Sequence, residues 1–162
     1  MIKEVSGDIM LSKAQTIAHG VAPFDHFENG LALSLRQDYP AMVKDFRHWC
    51  HQSNPKPGHV WMWGGADGKR IVNLLTQEPP QGHGHSGHPG AATLSNVVRA
   101  LRELKKVIKQ EGLTSVAIPR LATGVGKLPW EEVKPLIEEQ LADCGADVYL
   151  YTNFVKGQAA AE

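Results

Sequence analysis

Little in this chain points outward to a membrane, an oxidising compartment or a polyanion. Only two of its 162 residues are cysteine, Cys50 and Cys144, far apart and in unrelated surroundings. A disulfide framework is therefore excluded, and two free buried thiols in a reducing compartment are expected. No apolar run approaches the roughly 20 residues that cross a bilayer. The opening MIKEVSGDIM lacks the charged, then apolar, then small order of a signal peptide. Net charge is also missing: 17 Lys+Arg balance 17 Asp+Glu. A protein that holds nucleic acid by neutralising phosphates needs a basic excess or at least a basic face, so nucleic acid is expected only as a modified substrate. The expectation is a cytoplasmic monomer with one domain over 1–156 and a loose tail over 157–162, 162 residues being too few for two comfortable cores.

What is present reads as alternating strands and helices. Ile2 to Val5 alternates and breaks at Gly7-Asp8, and Gln15 to Val21 has the apolar run of a buried strand. Gly30 to Leu35 is small and apolar, as in a helix lying close on a sheet, and Pro40 can open the next helix. After the break at Asn54 to Gly58, Val60 to Trp63 and Arg70 to Thr76 form a hairpin. Trp61 and Trp63 share a face through the two-residue period, which suits a half-buried strand better than an aromatic platform. Leu94, Val97, Leu101, Leu104 and Ile108 keep one face of a helix apolar, with Thr93 to cap it and Gly112 to end it. The charges of Arg99 to Glu111 fall on its solvated face. Ser115 to Pro119, Trp130 to Leu141 and Asp147 to Thr152 add a strand, a helix and a last strand. The fold class expected is α/β, a three-layer sandwich whose mixed, mostly parallel sheet has helices on both faces.

In such sheets ligands sit beyond the carboxyl ends of strands. Ala122-Thr123-Gly124-Val125-Gly126, between a strand and a helix, is a natural anion cradle, since glycines let main-chain N–H groups approach a phosphate and the next helix adds its positive end. A tight crossover alone can also use two glycines. His19, at the end of a buried strand, and Asp25-His26 downstream are candidates for general base and water positioning, with a structural histidine the competing reading for His19. His83, His85 and His88 could ligate zinc or nickel. Their glycine-rich context and the lack of a nearby Cys or acid favour a lid over the ligand, so neither a metal nor a cofactor is expected.

The motif order, Gly7-Asp8-Ile9, Ala18-His19-Gly20 with Gly30-Leu31-Ala32, then Pro119-Arg120-Leu121-Ala122-Thr123-Gly124 with Leu128-Pro129-Trp130-Glu131-Glu132-Val133, and Val148 to Thr152 at the close, resembles the macrodomain family. Within it the chain is most similar to the branch of terminal ADP-ribose glycohydrolases, DNA ADP-ribose-removing antitoxins and ADP-ribose-1″-phosphate phosphatases. The resemblance implies a protein that binds ADP-ribose or an ADP-ribosylated macromolecule and hydrolyses an ADP-ribosyl linkage or 1″-phosphate, or else an inactive reader of the modification. It implies that Asp8 accepts from the adenine amino group with Ile9 N–H nearby, although Asp8 can equally be a turn former. Thr123, Gly124, Val125 and Gly126 would hold the diphosphate and distal ribose from one side, and the His19 to Gly30 loop, with Leu31 beside it, from the other. Thr76 and Gln77 would line the distal ribose, and Asn153 and Phe154 would border the adenine, Phe154 by stacking unless it is core. The phosphatases share a histidine at the position of His19.

Three departures stand out. Gln77 occupies the place of the lysine that forms an adduct in the glycohydrolases, and an amide cannot make a Schiff base. Gly126 stands where an acidic residue is usual. Glu28 precedes Asn29-Gly30, where the family commonly has glycine, and a carboxylate facing a diphosphate would repel it by about 1 kcal/mol if solvent-screened. The lysine mechanism is therefore not carried over.

Overall fold

A computed structural model describes residues 1–80 and 89–162; the His83, His85 and His88 reading lies outside the described residues. The elements follow as β1 (Ile2–Gly7), a 3-10 turn (Ile9–Leu11), β2 (Thr16–Val21), α1 (Gly30–Asp38), α2 (Pro40–Ser53), β3 (Val60–Gly64), β4 (Arg70–Leu75), α3 (Leu94–Glu111), β5 (Ser115–Ile118), α4 (Trp130–Leu141) and β6 (Asp147–Phe154).

The six strands form one sheet in the order β1-β6-β5-β2-β4-β3. All neighbours are parallel except β3 and β4, an antiparallel hairpin in which Val60 faces Leu74 and Gly64 faces Arg70. The expected mixed sheet is thus observed. Each face of the sheet buries its own core. Val97, Leu101, Leu104 and Ile108 of α3 pack with Val133, Ile137 and Leu141 of α4 against Ala18, Val72, Val116 and Val148. On the other face Leu35 of α1 and Met42, Phe46 and Cys50 of α2 pack against Ile17, Ile71, Leu75 and Ala117. Trp61 and Trp63 sit on that second face, where Trp61 stacks on Trp49 at 5.8 Å, so these rings are packing, as the strand period implies. Both cysteines are free and buried.

Local signals place the helix ends. Thr93 Oγ1 accepts from Asn96 N at 3.1 Å, and Gly112 closes α3 in the left-handed region at φ 61°.

The C-terminal residues correct the expectation of a loose tail. Gln158 O accepts from Asp8 N at 2.7 Å, and Gly157 N donates to Asp8 Oδ2 at 3.0 Å. The Glu162 carboxylate takes hydrogen bonds from Ser12 Oγ (2.5 Å), Lys13 N (2.9 Å) and Tyr151 OH (2.6 Å). Burial alone would raise the Glu162 pKa, but these three donors outweigh it and hold the carboxyl below its usual range. Approach is so close that a Cβ on Gly7 would lie 2.8 Å from Ala160 N.

Candidate ligand-binding site

The parallel order reverses direction between β2 and β5. The chain leaving β2 goes to α1 on one face, and the chain leaving β5 goes to α4 on the other. The two loops part at the carboxyl end of the sheet and leave a crevice, the usual ligand position in open α/β folds. Its volume is about 240 Å³. One wall is Asp25, Asn29, Gly30, Leu31 and Ala32, the other Pro119 to Ala122 with Gly124, Val125 and Gly126, and His19, Gly20 and Gln77 complete it with Pro89. That volume lies just below the roughly 300–1,000 Å³ of whole-ligand pockets, so it suits part of a dinucleotide.

Both walls present main-chain donors. The N–H groups of Gly30, Leu31 and Ala32 form the open first turn of α1, whose first helical bond is Leu33 N to Asn29 O at 3.2 Å. Across the crevice, the N–H groups of Thr123, Gly124, Val125 and Gly126 meet no acceptor among the described residues, because the loop is closed by Lys127 N to Gly124 O and Leu128 N to Ala122 O. Residues with unpaired amides thus line one hollow from two sides, an arrangement suited to an anion.

The helix that contributes its positive end is α1, not α4 as expected. The first turn of α4 begins beyond Pro129 and already holds Glu131 and Glu132, whereas that of α1 carries no acid. Glu28 is exposed and absent from the wall, which removes the expected repulsion. Backbone strain collects here as well. Four of the five non-glycine residues with left-handed φ among the described residues are Phe24, Phe27, Ala122 and Lys127, all on these two loops.

His19 is 2% exposed, and its Nε2 lies 2.7 Å from Asn73 Oδ1. Asn73 turns its Nδ2 toward Trp61 O and Met42 Sδ, so Oδ1 faces the imidazole, Nε2 is the donor and Nδ1 keeps the lone pair. Burial pushes the His19 pKa down to about 4, against the opposing hydrogen bond to Asn73. Asp25 is 4% exposed and staples its own loop, accepting from Ala22 N at 2.9 Å and Phe27 N at 2.8 Å. Burial raises its pKa, opposed by those two amides. It is the one carboxylate on the wall among the described residues, and Arg120 is the one guanidinium.

Arg120 was not singled out from sequence as a site residue, although it stands inside the quoted Pro119 to Gly124 motif. Its Nε donates to Thr152 O at 2.7 Å, and its guanidinium lies 5.7 Å from the Trp130 ring centroid, so it is held at the rim between β5 and β6. Gly20 and Asn29 lie within the His19 to Gly30 loop expected at the ligand, and Ala32 within the quoted motif, though none was named singly as a site residue.

Of the expected ligand residues, Gly30, Leu31, Gln77, Gly124, Val125 and Gly126 meet at the crevice with His19 and Asp25. Thr76 lies beneath it, fully buried, its Oγ1 without a partner among the described residues and 2.8 Å from where a Cβ on Gly20 would stand. Thr123 caps its own turn by donating to Arg120 O at 2.9 Å. Asp8, Ile9, Asn153 and Phe154 are not on the crevice wall. They gather beside it, where Gly7 pairs with Phe154 and Ser6 with Asn153. With strands spaced about 4.8 Å apart, that cluster is roughly 7–12 Å from the β2/β5 crevice along the same edge. Asp8 Oδ1 accepts from Met10 N at 3.0 Å, so the turn-forming role is real, while Ile9 N–H meets no acceptor among the described residues. Phe154 is 67% exposed and is not core.

Two departures acquire a physical meaning. A Cβ on Gly126 would lie 2.5 Å from Ala122 O, so this loop cannot seat an acidic side chain there without moving its backbone. Gln77 is buried, with Nε2 toward Gly90 O at 3.5 Å, and a two-strand bridge to Ala92 fixes it. No group of three or more His, Cys, Asp or Glu among the described residues could hold a metal ion.

Comparison with known proteins bears on the fold and the family. The DNA ADP-ribosyl glycohydrolase of Mycobacterium tuberculosis is 28% identical over 155 residues, which cover 92% of this chain and 42% of that protein. The chain thus spans about two fifths of the length of that relative. The ADP-ribose 1''-phosphate phosphatase of Candida albicans is 20% identical over 86% of this chain and 93% of its own length. The solved macrodomain of Mycobacterium tuberculosis DarG superposes with a TM-score of 0.80 at 25% identity, covering 93% of this chain and 97% of that one. The model of the Macro domain family matches residues 23–137, well over half of the sequence, and the chain belongs to that family.

Proposed function

We propose that this chain binds ADP-ribose, free or attached to a macromolecule, with the diphosphate and distal ribose in the β2/β5 crevice and the adenine beside Asp8, Ile9, Asn153 and Phe154. The observation that carries the reading is that Gly30 to Ala32 and Gly124 to Gly126 line one hollow from two elements and leave their main-chain N–H groups unpaired among the described residues. Arg120 adds a charge between hollow and adenine edge. The names of the relatives support the same ligand and suggest modified DNA or a 1″-phosphate as the substrate.

Where hydrolysis accompanies binding, Asp25 is the base this reading assigns, with His19 as an uncharged acceptor through Nδ1. A second reading, an inactive reader of ADP-ribosylation, draws on the commitment of both Asp25 oxygens to loop amides and of His19 Nε2 to Asn73. In either form the proposal is of a cytoplasmic monomer, for which elution at the monomer volume in size-exclusion chromatography is the check on oligomeric state.

Isothermal calorimetry tests the binding. ADP-ribose is expected to bind more tightly than AMP or ribose 5-phosphate, to weaken about tenfold in Asp8→Ala through loss of one adenine contact, and to fail in Gly124→Glu. No heat at millimolar ADP-ribose sinks the reading. Release of ADP-ribose from a modified oligonucleotide, abolished in Asp25→Asn while ADP-ribose heat persists, separates enzyme from reader.

A further inference from the structure

A second hollow, of about 700 Å³, lies away from the crevice along the outer side of α3 where it meets the start of β3. Its cations are Arg99, Arg102, Lys105, Lys106 and Lys109, against one acid on the wall, Glu103. Lys105 is paired with Asp143 at 2.6 Å and Lys106 with Glu103 at 3.1 Å. Arg99 and Arg102 have no acidic partner among the described residues, and Lys109 forms no direct ion pair, acting on Asp143 only at longer Coulombic range. On a rise of 1.5 Å per residue these three span about 15 Å of helix, with Lys106 filling the gap between them. A molecule with no net charge thus carries a local excess on one face.

One end of the groove lies at the carboxyl edge of the sheet, the edge that also carries the ligand crevice. The upper lip of the groove is Pro57 to Val60, bound to the carboxyl end of β4 by Gly58 N to Leu75 O (2.6 Å) and Leu75 N to His59 O (2.9 Å). Two residues beyond Leu75 comes Gln77, on the crevice wall and bridged to Ala92 just ahead of α3. The Arg99 stem covers the lip, since a Cβ on Gly58 would meet Arg99 Cβ at 3.2 Å.

We propose that this groove holds the sugar-phosphate backbone of a nucleic acid strand, guiding a modified strand so that its ADP-ribosyl group enters the crevice. The proposal rests on the ADP-ribose reading for that purpose, but its charge complementarity is independent of it. Cations recurring about every 4.5–6 Å along one line match a polymer with a charge on every residue. The wall offers a peptide little else, because Val60 is its one sizeable aliphatic side chain.

Fluorescence anisotropy with a 5′-fluorescein 20-mer of oligothymidylate, unmodified, tests it on the full chain. Wild type is expected to bind at 50 mM NaCl and to lose affinity with a log–log salt slope of roughly −2 to −3, as three or four neutralised phosphates on a single strand dictate. R102E/K109E is expected to weaken binding at least tenfold and to flatten the slope by roughly 1.4. Both positions are exposed, and R99Q/R102Q/K109Q gives the same direction without charge reversal. Equal affinity of wild type and these variants, absence of binding at 50 mM NaCl, or displacement by polyglutamate at equal charge overturns the proposal, the last in favour of an acidic protein. ADP-ribose calorimetry on the same samples keeps the two readings apart. Salt-dependent oligonucleotide binding without ADP-ribose heat supports the groove and sinks the crevice reading; the reverse sinks the groove alone.

Discussion

Burial keeps His19 neutral at pH 7, and this has a measurable cost on the acid side. The unfolded chain protonates there near 6.5 and the folded chain only near 4, so the unfolded state binds more protons between those values. Stability therefore falls as pH drops through that window and is restored above it. From pH 7 to pH 5 the imidazole contributes a loss of about 2 kcal/mol, and urea denaturation of His19→Gln is expected to lack that share of the pH dependence. The glycines give a second test. Gly124 has nothing within 4 Å of a built Cβ, whereas Gly126 would meet Ala122 O at 2.5 Å and Gly20 would meet Thr76 Oγ1 at 2.8 Å. Gly124→Ala is expected to melt within about 1 °C of wild type, and Gly126→Ala and Gly20→Ala several degrees lower, as ~1–3 kcal/mol of overpacking implies. Gly30, Gly124 and Gly126 were legible as pocket residues from type and position alone. Arg120 was not, because an exposed polar residue on a loop carries no period, and its direction is settled by partners, Thr152 and Trp130, that lie farther along the chain.

At the level of elements, alternation of strands and helices was readable because every segment repeats its apolar positions at one clear period. The source of the helix charge was not. Both α1 and α4 follow glycine-bearing loops, and only the path of residues 119–129 reveals that α4 starts too far from Gly126 to reach the crevice. The end of the chain was opaque for another reason. Gly157 to Glu162 has no apolar period, and its anchors Ser12 and Lys13 are 150 and 149 positions away. Removing residues 157–162 frees Asp8 Oδ2 and Asp8 N and strips the Glu162 hydrogen bonds from Ser12 and Tyr151. Loss of five exposed or part-exposed hydrogen bonds, counting that of Lys13 N, at about 0.5–1 kcal/mol each, is expected to lower Tm by roughly 5–20 °C in a thermal melt. Asp8 also becomes more available to an adenine amine, so affinity for AMP is expected to stay level or rise in the truncated chain.

Across the whole molecule, one sheet is shared by two cores that do not otherwise touch the same helices. Phe46→Ala in one and Leu104→Ala in the other each remove a fully buried side chain, at a cost of about 2–5 kcal/mol. Because the strands join the cores, each variant is expected to show a single transition, with tryptophan fluorescence and far-ultraviolet circular dichroism coincident. Two transitions would mean that the halves melt separately. The switch between β2 and β5, whose outgoing chains turn to opposite faces of the sheet, gives this arrangement a further property. The two jaws of the crevice are carried by different halves of the protein, and the chain itself ties them with few bonds at their tips. A phosphate gripped by amides from both jaws acts as a rivet through the seam, so occupancy should tighten regions remote from it. At a hundredfold excess over Kd, mass action adds about 2.7 kcal/mol, roughly 5–10 °C in Tm. Amide exchange is expected to slow under α2 and α4 alike, on both sides of the seam.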